Sequence, residues 1–202
     1  MKYQQKDWLG SWQNFESYIT GTTPAMQLAW ADAEKAAAAM PMFKTGVKTF
    51  WQQACSTAVA GPVLGGWQVE AANAQDLRIT WLGADGQPLD SAVYHFTGVL
   101  EKGLEGKECA KFETAGALQH SQFRCLLAMA PMPERTAREH GGLLSHLHFQ
   151  YAASWTTLIG TDGKLCHPMW YPTLCDGCGT LLEQCNIVRA MHHLPVWAEL
   201  PA

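Results

Sequence analysis

Apolar positions change their spacing twice along the chain. The first third reads as helical. Thr23-Pro24 is a helix start, with Thr as N-cap and Pro in the first turn. An alanine-rich run follows to Met40, and Pro41 ends it. Thr45 is placed to cap a second helix through Phe50, Trp51 and Ala54. Gly61-Pro62 and Gly65-Gly66 then punctuate the chain. The pattern next turns to period two: Leu77, Ile79 and Trp81 alternate with Arg78 and Thr80, as on a half-buried strand. Residues 93–97, 109–114 and 123–128 are further strand candidates, Asp85-Gly86 signals a hairpin, and Asp162-Gly163 a turn joining residues 155–159 to Leu165. Thr180-Leu181-Leu182-Glu183 is a capping box opening a last helix to about His192. Several short strands with turn signals predict a meander that closes into a barrel. The expectation is a mainly-β single domain over residues 1–202, with a helical N-terminal segment and a C-terminal helix.

One strand carries the chemistry. Side chains two apart on a strand point the same way. In Leu144-Ser145-His146-Leu147-His148-Phe149-Gln150-Tyr151, His146, His148 and Gln150 therefore share one face, and Leu147, Phe149 and Tyr151 the other. Two parallel imidazoles are two legs of a metal site, and His140 stands upstream as a third. Neutral imidazole suits zinc, copper, iron and nickel. Three histidines with a free position describe a zinc site able to take a water or an exchangeable ligand.

Composition narrows the classes. The formal net charge of −4 comes with no run of Lys or Arg, which argues against a nucleic-acid partner. No stretch is long and apolar enough to span a bilayer, and the N-terminus lacks the apolar segment of a secretory signal. The sequence as it stands predicts a cytoplasmic protein. Seven cysteines, an odd number, cannot all pair within one chain, so reduced thiols or metal ligands are expected. Nine tryptophans suit a broad aromatic core.

Three stretches, in order, resemble the ZinT (YodA-type) metal-binding family. Asp7-Trp8-Leu9-Gly10-Ser11-Trp12-Gln13 is similar to its opening Asp-Trp-x-Gly-x-Trp-Gln. The Gly-x-Trp within it also resembles the lipocalin entry motif, whose tryptophan closes one end of the barrel. His140 followed by Ser145-His146-Leu147-His148-Phe149 is similar to a His and then Ser-His-Phe-His. Met169-Trp170-Tyr171-Pro172 is similar to a Trp-Pro-Thr-Tyr-Tyr-Pro segment. The resemblance spans roughly residues 7–193. It implies a calycin, or lipocalin-like, barrel with added helices, and zinc held at one barrel mouth by residues matching His140, His146 and His148. The implied role is zinc homeostasis through buffering, transport or delivery, not catalysis. Three departures stand out. The family is usually exported and often carries a His-rich N-terminal segment; neither feature is present. Of the family's cross-strand cysteine pair, Cys125 matches one, while the other aligns near Ser91-Ala92, which has no thiol. The loop between His140 and His146 is also shorter. A site of the two strand histidines alone needs a further donor, such as Glu139 or an external ligand.

Other constellations stay open. Cys166, Cys175, Cys178 and Cys185, with His167 nearby, could form a second metal site or remain reduced thiols. His192-His193 suit a helix C-terminus. His95 and His120 read as structural or solvated, and Trp67, Trp81, Trp155 and Trp170 as core. The metal is expected to be Zn2+, with cadmium, copper or nickel also compatible with imidazole, and any hand-off partner is unidentified. Two further readings remain: a lipocalin-like carrier of a small apolar ligand, and a zinc-dependent hydrolase with Glu139 as base.

Overall fold

Short antiparallel strands organise a computed structural model that describes residues 2–201. The strands are β1 (Gly10–Asn14), β2 (Leu64–Ala71), β3 (Leu77–Gly83), β4 (Pro88–Leu100), β5 (Cys109–Glu113), β6 (Cys125–Met129), β7 (His146–Ala152) and β8 (Thr173–Asp176). Each pairs antiparallel with the next, and β8 pairs back to β1, so the sheet closes into an eight-stranded barrel. This is a mainly-β fold of the calycin or lipocalin-like kind. Its interior is filled by one buried cluster that includes Trp12, Trp67, Trp81, Tyr94, Phe149 and Tyr151. Trp81 stacks on Phe123 with ring centroids 4.2 Å apart, and Trp67 meets Phe149 edge-on at 4.7 Å. A small barrel filled this way is a core rather than a channel. The Arg135 guanidinium lies 4.6 Å over the Trp12 ring and pairs with Asp176 at 2.7 Å, tying the Gly-x-Trp segment of β1 to β8.

The helices are α1 (Glu16–Ile19), α2 (Pro24–Ala37), α3 (Val47–Ala54), α4 (Trp155–Leu158) and α5 (Leu181–Met191). A second cluster, with Phe15, Met26, Trp30, Phe43 and Val188, packs α1, α2, α3 and α5 against Leu144 and Cys175. Cys175 and Leu174 alternate on β8, and Leu174 lies in the barrel cluster. The helical layer therefore covers the outer face of β8. Among the described residues, no helix is long and apolar enough to cross a membrane.

The start and end signals at Thr23 and Thr180 hold. Thr23 Oγ1 accepts from the Met26 amide, and the Thr180–Glu183 capping box is complete. Thr45 is not the cap of α3. Gly46 occupies that position, and the Glu34 carboxylate accepts from the amides of Val47 and Lys48 at 2.9 and 3.0 Å. Residues 155–159 are not a strand. Trp155–Leu158 is a helical turn, and Ile159 keeps a single bridge to Leu165. Gly65-Gly66 is not a turn but lies within β2. A Cβ at Gly66 would sit 1.9 Å from the Trp12 carbonyl, so the glycine permits a close strand approach. Strands β1 and β8 carried no clear period-two signal; each is only a few residues long and adjoins a turn.

Candidate metal and ligand site

The expected alternation on β7 is realised. Leu147, Phe149 and Tyr151 enter the barrel cluster, so His146, His148 and Gln150 face out of the wall. On β8 the same rule turns Thr173 and Cys175 outward. The register sets His146 opposite Cys175 and His148 opposite Thr173. The histidine pair is thus not in the barrel lumen. It sits beside the barrel, at the start of β7, on the face covered by α3 and α5. There it borders a cavity of about 330 Å³. Trp51 of α3, Cys55 just after it, and Ile187, Ala190 and Met191 of α5 form the opposite wall.

The hydrogen bonding of His148 fixes which nitrogen faces the cavity. The Thr173 hydroxyl has one proton and directs it to the Tyr171 carbonyl at 2.8 Å. It therefore accepts from His148 Nδ1, 2.7 Å away. Nε2 is left facing Glu105 Oε1 at 3.4 Å. A lone pair on Nε2 opposite a carboxylate oxygen is unfavourable unless a cation lies between them, either a proton on Nε2 or a metal ion. Two ligand atoms ~2.0 Å from a tetrahedral zinc stand about 3.3 Å apart. The Nε2–Oε1 pair has a comparable spacing, and the hydrogen bond to Thr173 orients the His148 ring.

Glu105 comes from the β4–β5 connection, a donor that the sequence did not single out. Its backbone is left-handed, with φ 53°, and Gly106 beside it has φ 71°. Left-handed backbone on a non-glycine residue costs about 1–3 kcal/mol and often marks a functional position. The His148 hydrogen bond, with help from Lys107 at 2.9 Å, holds its carboxyl down to about 2. His146 is pushed the other way, to about 4, by burial first and by neighbouring His148 second. At neutral pH, Glu105 is ionised and His146 neutral, the protonation states that metal binding requires. His146 Nδ1 is buried, and the adjacent Leu144 backbone gives it an electrostatic contact short of a well-formed hydrogen bond. The His146 and His148 rings lie 5.7 Å apart between centroids.

The donors fit a divalent ion in chemistry and in the spacing of one pair. The third donor requires His146 to turn its ring, for among the described residues no three His, Cys, Asp or Glu side chains already stand together as a ligand set. His140 ends a 3-10 turn, Arg135–His140; it and Glu139 are exposed, and neither lines the cavity. The connection from that turn reaches β7 through the buried pair Leu144 and Ser145, leaving the turn outside. The four C-terminal cysteines are also separated. Cys175 and Cys185 are buried in the helical cluster, whereas Cys166 and Cys178 are exposed, and all seven thiols are free. Gln150, the third outward residue, donates to the carbonyls of His167 and Trp170 at 2.7 Å each and anchors that loop. His192 is structural: its Nδ1 donates to the Val188 carbonyl and its Nε2 accepts from Trp51.

No family model, no curated protein and no solved structure matched the chain. What fold and site define together is a lipocalin-like barrel with an external, histidine-floored cavity between its wall and a helical layer.

Proposed function

We propose that this protein binds a divalent metal ion, zinc first, through His148, Glu105 and His146, and that it buffers, carries or delivers that ion. The observation that carries the reading is the pair of His148 Nε2 and Glu105 Oε1. They face each other at 3.4 Å, with the other nitrogen of His148 committed to Thr173. Glu105 supplies the further donor that the strand pair needs, in the place expected of His140. Two imidazoles and a carboxylate leave a tetrahedral ion one exchangeable position, which suits a carrier. The donor set also accepts cadmium, copper or nickel. Seven free thiols support a reducing compartment, the cytoplasm. The resemblance to ZinT proteins agrees with this reading in the residues His146 and His148.

Metal content of tag-free protein, measured by plasma mass spectrometry, tests it. One zinc per chain is expected, and none in the His146→Ala/His148→Ala double variant. Zinc retained by the double variant would move the metal to the cysteines. No zinc in either protein after loading would end the metal reading.

A further inference from the structure

The cavity beside His148 is far larger than an ion needs. At about 330 Å³ it falls at the lower end of small-molecule sites. Its polar side chains include Thr173 and Glu105, one on each nitrogen of His148, and His146 beside them. The remainder is apolar. Phe15, Leu143, Ile187, Ala190 and Met191 offer hydrocarbon or ring surface. Trp51 commits its indole N–H to His192 at 3.1 Å and shows the cavity only its ring. Cys55 is a neutral thiol, since burial pushes it up to about 12, and burial raises Cys175 further still. Among the described residues, Glu105 is the one carboxylate lining the cavity. Protein layers normally interlock without gaps of this size, and atoms bordering a gap forfeit dispersion contacts.

We propose that the cavity binds a small monocarboxylic acid, its apolar body against Trp51, Ile187 and Met191 and its carboxylate at the histidine end. This rests on the metal reading above. A divalent ion held by one carboxylate and two neutral imidazoles carries a net charge of +1. A monoanion in the exchangeable position neutralises it where apolar walls make an unbalanced charge costly. Lys107, paired with Glu105 at 2.9 Å, adds positive charge beside that carboxylate. A polar head and an apolar body thus each find matching groups within one space. The barrel lumen is filled by its aromatics.

Calorimetric titration separates this proposal from the metal reading. Zinc stoichiometry is measured first, and absence of zinc in the wild-type protein overturns both. On zinc-loaded protein, acetate, butanoate and hexanoate are compared with 1-hexanol. Each buried methylene is expected to tighten binding by about fourfold, with hexanoate far ahead of hexanol. Metal-free protein should bind hexanoate at least tenfold more weakly. Equal affinity for acetate and hexanoate would overturn the apolar part of the proposal. Equal affinity with and without zinc would overturn the placement of the head. Ala190→Trp, which fills the cavity from α5, should keep its zinc and lose hexanoate. Ala190→Leu, a milder filling, should weaken hexanoate in the same direction. A zinc-loaded Ala190→Trp protein that keeps full hexanoate affinity would contradict the assignment.

Discussion

Thr173 decides which nitrogen His148 offers to the cavity, because its single hydroxyl proton goes to the Tyr171 carbonyl. A substitution that keeps the shape but removes the oxygen frees the ring. Thr173→Val is expected to weaken zinc binding by about 10- to 100-fold, the usual cost of losing an orienting partner. His148→Ala should weaken it more than Thr173→Val, and Glu105→Gln should also lower affinity, each read by chelator competition. His140→Ala should leave it unchanged, since His140 lies exposed outside the cavity. Full affinity in Glu105→Gln would remove that residue from the ligand set. His146 gives a different readout, in stability. Its folded-state value, about 4, lies below the ~6.5 of a free imidazole. Between those values the unfolded chain holds more protons, so stability is full above pH ~6.5 and is lost as pH falls toward 4. Thermal melts of metal-free protein should show that decline, and His146→Gln should reduce it, leaving the part due to His192, which burial also pushes down.

At the scale of elements, the local signals that proved reliable were those with a chemical cause on the page. Thr23-Pro24, the Thr180 capping box and the alternation of β3 and β7 each name their own partner within a few residues. The signals that misled depended on distant chain. Thr45 gave way to Gly46 because Glu34, on the preceding helix, supplies the acceptors for α3. Glu34→Ala should therefore cost about 1 kcal/mol, as a lost cap does, in a denaturant titration with unchanged slope. Gly66 read as a turn because its reason, the Trp12 carbonyl, lies on another strand. Gly66→Ala should cost roughly 3 kcal/mol or more, because β1 and β2 cannot approach past a new Cβ; a loss below about 1 kcal/mol would mean that the pairing shifts freely. The same limit hid Glu105. The two histidines were legible from their period on one strand, whereas Glu105 joins them only when the β4–β5 connection folds over β7.

For the whole molecule, two of three apolar clusters frame the site. The barrel interior, closed by Trp12, Trp67 and Trp81, supplies the core, and the outer wall of β7 and β8 is left for a helical cover. The cavity is the place where that cover and wall do not meet. Filling it with an ion should therefore raise the melting temperature by mass action, about 2.7 kcal/mol at a free zinc concentration 100 times Kd. X-ray absorption at the zinc edge of the loaded protein separates the ligand types, because thiols and imidazoles border the same space. A shell of nitrogen and oxygen alone at ~2.0 Å is expected, with imidazole outer scattering. A sulfur shell at ~2.3 Å would place the metal on Cys55 or Cys175 and contradict the imidazole site.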